Sequence, residues 1–179
     1  MQSLDLAHLT AALSGAYAVV LVASGGAKLR SPDPTRTALA AFRLPASRRA
    51  AYALGFVEVT LGVMVLFVGA IPQLVGGALY LAFAVVVTPV VTGRLDLETC
   101  GCFGERSLAP GVAHIAINLV GAGSFFAMYV AASPPFVPMV RGTTVAAALG
   151  WTAGAVGYAI GVTVALTKGT MLTRGAEVR

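Results

Sequence analysis

Apolar residues fall along this chain in long, nearly unbroken runs, and polar residues are confined to the gaps between them. Crossing roughly 30 Å of hydrocarbon takes about 20 helical residues. Five runs reach that length, at about 7–27, 50–70, 73–93, 111–132 and 144–167. Proline and glycine punctuate the connections, with "SPDP" at 31–34, Pro72, Pro110 and "SPPFVP" at 133–138. The pattern predicts an all-α fold, a polytopic transmembrane helix bundle with a four-helix core plus a fifth helix, forming one integral membrane domain over 1–179. The opening "MQSLDLAH" lacks the basic n-region of a secretory signal, so the first run is expected to be a retained helix. Residues 37–49, "TALAAFRLPASRR", predict a short interfacial segment with its arginines towards headgroups.

Composition agrees. Of 179 residues, 58% are hydrophobic and 11% charged, and the mean hydropathy is +0.86. Soluble domains carry about 25% charged residues, so that class is excluded. The net charge of +5 would suggest nucleic acid on a soluble protein. Here the basic residues sit at the ends of apolar runs, where they set topology and meet anionic lipid, so the partner they imply is the bilayer and no nucleic acid. The first connection carries Lys28, Arg30, Arg36, Arg43, Arg48 and Arg49 against Asp33, and the C-terminal tail carries Lys168, Arg174 and Arg179 against Glu177. The positive-inside rule then predicts a multi-pass protein of the cell membrane with its N-terminus outside and its C-terminus inside. The third connection falls on the cytoplasmic side.

That third connection holds both cysteines of the chain, in "ETCGCFGE" at 98–105. In an extended strand, Cα atoms two residues apart lie about 6.6 Å from each other, near the upper limit for a disulfide. Gly101 permits a sharper turn. A ring that small closes almost no loop, so it stabilises little as a staple, and strained, exposed disulfides are the exchangeable ones. Three readings stand side by side. Cys100 and Cys102 are incidental to a Gly-rich turn; or they join Glu98, Glu105 or His114 around a soft cation; or they form a thiol–disulfide exchange site. Structural zinc takes four Cys or His ligands, and only His8 and His114 are present, so no metal site is assigned. Arg94 and Arg106 would lower a thiol pKa, whereas Glu98 and Glu105 would raise it. With no second cysteine pair, electrons must pass to a partner protein or to a bound quinone at one face. Haem and nucleotide fingerprints are missing from the sequence.

A few polar residues lie inside the runs. Glu58 is the sole acid within them, and a charge at mid-helix costs about 2.5–3.5 kcal/mol on insertion scales. Lys28 ends the first helix at the same face and is a plausible counter-ion; the plainer alternative is a protonated Glu58 bonded to a hydroxyl. His114 and Asn118 share one face of the fourth helix, and His114 could take a proton from a thiol or be an ordinary interfacial histidine. Thr88 and Thr92 flank Pro89 and are expected to absorb its kink. Gly150, Gly154, Gly157 and Gly161 predict close packing of the fifth helix, within the bundle or in a homodimer.

Taken together, "SGGAKLRSPDPT" (24–35), "FVEVTLGVMVL" (56–66), "CGCFGE" (100–105) and "HIAINLVGAG" (114–123) resemble the MauE/DoxX-like membrane proteins, most closely the methylamine-utilisation MauE type, over about 15–125. The resemblance implies a redox-associated membrane protein that works with a thioredoxin-like partner in maturing a disulfide-rich enzyme subunit outside the cytoplasm. It implies Cys100 and Cys102 as the redox pair, with Lys28, Glu58 and Asn118 in support. The charge count places the cysteines on the opposite side. Two other function classes remain in view: a non-catalytic scaffold for a redox enzyme, and a small-solute or metal-ion carrier with a polar track through Glu58, His114 and Thr88.

Overall fold

The computed structural model describes residues 6–97, 101–103, 110–141 and 144–168. Among these residues seven helices follow one another: α1 (Leu6–Arg30), α2 (Asp33–Ala41), α3 (Arg48–Phe67), α4 (Ile71–Val91), α5 (Val112–Val130), α6 (Phe136–Arg141) and α7 (Val145–Lys168). Five of them are long and apolar enough to cross a membrane, at His8–Arg30, Arg48–Phe67, Ile71–Val91, Val112–Val130 and Ala146–Ala165. The polytopic helical bundle is therefore present, with span ends within a few residues of those read from the sequence.

The interfacial segment starts four residues earlier than expected. Pro34 sits in the first turn of α2, where its missing N–H costs nothing, and Pro45 follows the helix's end. Ser47 then caps α3, its Oγ accepting the Ala50 N–H at 3.1 Å. The proline-rich stretch after α5 contains the short helix α6 rather than a plain loop, and the Phe136 ring lies against Gly15. In α4, Thr88 donates to the Ala84 carbonyl at 2.8 Å and Thr92 to the Thr88 carbonyl at 3.0 Å. The hydroxyls thus bond to carbonyls of their own helix on the N-terminal side of Pro89.

Helix α1 is the centre of the bundle and its most buried span. It packs most extensively on α3 and also touches α5 and α7, while α4 pairs with α5. The α1–α3 contact is backbone on backbone. A Cβ at Gly25 would stand 2.5 Å from the Gly55 carbonyl oxygen, and one at Gly55 would stand 2.9 Å from the Gly25 oxygen. Only hydrogen fits at either position. Between α1, α3, α4 and α5 lies a core of Tyr17, Leu21, Leu61, Val65, Tyr80 and Phe125. The Tyr80 hydroxyl donates to the Tyr17 carbonyl at 2.7 Å, so this buried phenol is satisfied.

Helix α7 behaves differently. A Cβ placed at Gly150, Gly154, Gly157 or Gly161 would meet nothing within 4 Å. The expected close packing of this glycine face within the bundle does not occur. Its alanines do that work instead: Ala155 and Ala159, with Val162, pack on Ala16, Val20 and Phe103.

Candidate functional site

Close approach of α1 and α3 brings Lys28 and Glu58 together. The Lys28 Nζ lies 2.8 Å from Glu58 Oε2, and both side chains are almost wholly buried. The pairing expected from sequence is present, and Glu58 uses a hydroxyl as well, because Ser24 Oγ lies 2.8 Å from the same oxygen. Ser24 stands one turn before Lys28, on the same face of α1. The lysine donates to Ser24 Oγ at 2.7 Å and to the Cys102 carbonyl at 2.9 Å. An ammonium has three hydrogens, and here all three have acceptors. Ser24 has one hydrogen and two acceptors in reach, Glu58 Oε2 and the Cys102 carbonyl at 3.0 Å. Glu58 Oε1 is buried without a hydrogen-bond partner, so the carboxylate's bonds are concentrated on the oxygen facing the turn.

The cysteine turn is thus tied down from beneath by a buried ion pair. It is also tied from the side. Thr35 Oγ1, on α2, donates to the Gly101 carbonyl at 2.9 Å. Gly101 has φ +65°, and a Cβ there would lie 2.8 Å from the Pro34 carbonyl oxygen. Both the left-handed backbone and the close approach require glycine. Phe103 completes the anchoring by inserting among Ala16, Val20 and the alanines of α7. Cys102 is half-buried, while Cys100, Glu98, Glu105 and Arg106 lie outside the described residues. The turn therefore sits on the face that carries the basic first connection, since it docks directly on α2.

His114 and Asn118 both reach this site. With Cys102, Ser24, Tyr80 and Phe83 they line a cavity of about 30 Å³ beneath the turn. His114 is 4% exposed. Its Nδ1 accepts the Gly111 N–H at 3.2 Å at the start of α5, and its Nε2 is buried without a hydrogen-bond partner. A second, largely apolar cavity lies on the other side of Phe83, lined by Phe42, Leu54, Val86 and Val87 and also by Lys28 and Cys102. His8, for which the sequence offers no partner, stacks on Trp151 with ring centroids 5.7 Å apart, far from these residues in the fold. Thr88 is on the exposed surface of α4 and bonds within its own helix. It does not join Glu58 and His114 in a polar track.

Ser24, Thr35 and the Gly25–Gly55 contact were not singled out from sequence. The signal for Ser24 was its four-residue spacing from Lys28. Thr35 carried none, because its partner is a backbone carbonyl distant in the chain.

Five spans, a buried lysine–glutamate pair and residues Gly101–Phe103 docked over it define a small polytopic membrane protein with a polar site at one end of its bundle. Residues 6–133, from α1 through α5, match the family model described as methylamine utilisation protein MauE. The chain belongs to the MauE family. Comparison with curated proteins and with solved structures returns no significant match.

Proposed function

We propose that this protein carries out thiol–disulfide exchange at the membrane through Cys100 and Cys102, in support of a partner's maturation. The observation that carries the reading is the use of the buried charges. Taking an ion pair out of water costs several kcal/mol per ion, and well-packed apolar residues would serve stability as well or better. Here the pair is directed onto the Cys102 carbonyl. A charge pair fixing a turn that is useless as a staple supports a role in positioning a reactive sulfur.

In the exchange, a partner thiolate attacks the Cys100–Cys102 disulfide. One S–S bond forms to the partner as the internal one breaks, and a chain sulfur leaves as thiolate. The partner's second thiolate then attacks the mixed disulfide, so the partner is oxidised and the chain reduced by two electrons. Reoxidation passes those electrons to a disulfide of a thioredoxin-like protein or to a quinone in the bilayer. Leu54, Phe83, Val86 and Val87 offer apolar walls to a quinone ring beside Cys102. Lys28, with all its hydrogens engaged, has none to offer a quinone carbonyl.

The turn shares a face with the most basic connection, which favours a cytoplasmic site by the positive-inside rule. Labelling Cys100 and Cys102 in intact cells with a membrane-impermeant maleimide, with and without prior reduction, tests both parts. Cytoplasmic thiols label only after the membrane is opened. Labelling from outside after reduction overturns the orientation and supports work on an extracytoplasmic partner. Unchanged disulfide content in partner proteins after replacing both cysteines overturns exchange and favours the scaffold.

A further inference from the structure

The strongest unused chemistry is the buried edge of His114. Sequence left it as either a base for a cysteine thiol or an ordinary interfacial histidine, and its hydrogen bonding points to a donor instead. Its Nδ1 accepts the Gly111 N–H at 3.2 Å. An imidazole nitrogen that accepts carries no hydrogen, so the ring's one hydrogen is on Nε2, and Nε2 is a donor. That donor is buried and without a hydrogen-bond partner. An N–H left so costs free energy unless something in the site uses it. The cavity it lines holds room for about one water by its 30 Å³ volume, and its walls include Cys102, Ser24 and Asn118.

We propose that His114 is a thiolate-stabilising residue, its Nε2–H donating across this cavity, through one water, to the sulfur of Cys102. This rests on the exchange reading above and adds to it which sulfur is the better leaving group and why. The other titratable groups around Cys102 among the described residues are Lys28 from α1, Glu58 from α3 and Tyr80 from α4. Lys28 and Glu58 neutralise each other, and the Tyr80 hydroxyl is spent on the Tyr17 carbonyl. The residues that α2 and α7 turn towards the site, Thr35, Ala38, Ala155, Ala159 and Val162, do not titrate. That leaves His114 and the Asn118 amide as donors in the cavity, and of the two only His114 Nε2 is both buried and without a hydrogen-bond partner.

The test is the rate of iodoacetamide alkylation of Cys102 against pH in the Cys100→Ser chain, in detergent or native membranes. It needs no partner, so it can succeed or fail apart from the exchange reading. With His114 intact, the midpoint is expected below about 8.5, the ordinary thiol value. His114→Asn keeps an acceptor for the Gly111 N–H and removes the cavity donor. It is expected to slow alkylation at pH 7 by about tenfold and move the midpoint up, the size of one hydrogen bond to an anion. His114→Gln, whose longer amide restores a donor to the cavity, is expected to recover most of that rate. A midpoint at or above 8.5 with His114 intact overturns the proposal whatever the variants do. So does an unchanged profile in His114→Asn, or an equal loss in Asn and Gln.

Discussion

Two glycine-bearing helix faces in this molecule read alike and pack differently. On the α1–α3 seam, Gly25 and Gly55 bring two backbones so close that a Cβ on either would collide with a carbonyl oxygen. On α7, four glycines at helical spacing face open space. Small residues permit close approach and do not compel it. What distinguishes the seam is the charge beside it. Lys28 and Glu58 are buried, and each three residues from its seam glycine, so the helices must be in contact for the pair to form. The α7 face has no such polar reason to close.

The comparison can be broken most severely at the charges. Glu58→Ala leaves Lys28 buried and uncompensated, and is expected to destabilise the fold by about 3–5 kcal/mol. Thermal unfolding in detergent would reveal this, and a loss under about 1 kcal/mol would mean the pair is hydrated in the folded state. Next comes the seam itself. Gly55→Val is expected to cost about 1–3 kcal/mol through overpacking, whereas Gly157→Val on α7 should stay within about 0.5 kcal/mol, as a substitution away from packed features does. Equal losses at the two sites would erase the distinction. At the turn, Gly101→Ala meets both a left-handed backbone, about 1–2 kcal/mol, and the Pro34 carbonyl. Its signature is a change in Cys102 alkylation rate beyond what that loss of global stability accounts for.

The smallest effect belongs to the exposed end of the same face. Hydrogen bonds from Arg36 and then Arg48 hold the Asp33 carboxyl below its usual range. A carboxyl lowered in the folded state stabilises above its unfolded pKa of about 3.9, and that contribution is lost as pH falls through the folded value. The difference in thermal midpoint between wild type and Asp33→Asn should therefore be constant from pH 7 to about 5 and shrink below about 4. A difference that is the same at pH 3 and pH 7 would show that Asp33 acts by something other than its charge.

How much of this could be read in advance follows the same division. The five spans were legible because an apolar run of that length has few other fates. The Lys28–Glu58 pair was legible because an intramembrane acid must find a counter-group. The seam was not, since the mark that separates Gly25 and Gly55 from Gly154 and Gly157, a charge three residues on, has meaning only once Lys28 and Glu58 are known to pair across it. Nor was the helical start at Asp33, which depends on Pro34 being tolerated in a first turn. The role of His114 stayed open between two readings because sequence gives the residue and its helix face but not which ring nitrogen is occupied. That is decided by one backbone N–H, at Gly111.

The three-way bonding of Lys28 has a mechanical consequence. Its acceptors belong to three parts of the fold: Ser24 on α1, Glu58 on α3, and the carbonyl of the turn. In the proposed exchange, as the turn changes shape, the carbonyl cannot withdraw without leaving one ammonium hydrogen without an acceptor. Either Lys28 follows, pulling on Glu58 and with it α3, or water enters the seam. Under the proposed exchange, a two-electron change in this loop would be converted into tension between two helices of the bundle, and a partner bound to the far ends of α1 and α3 would feel it.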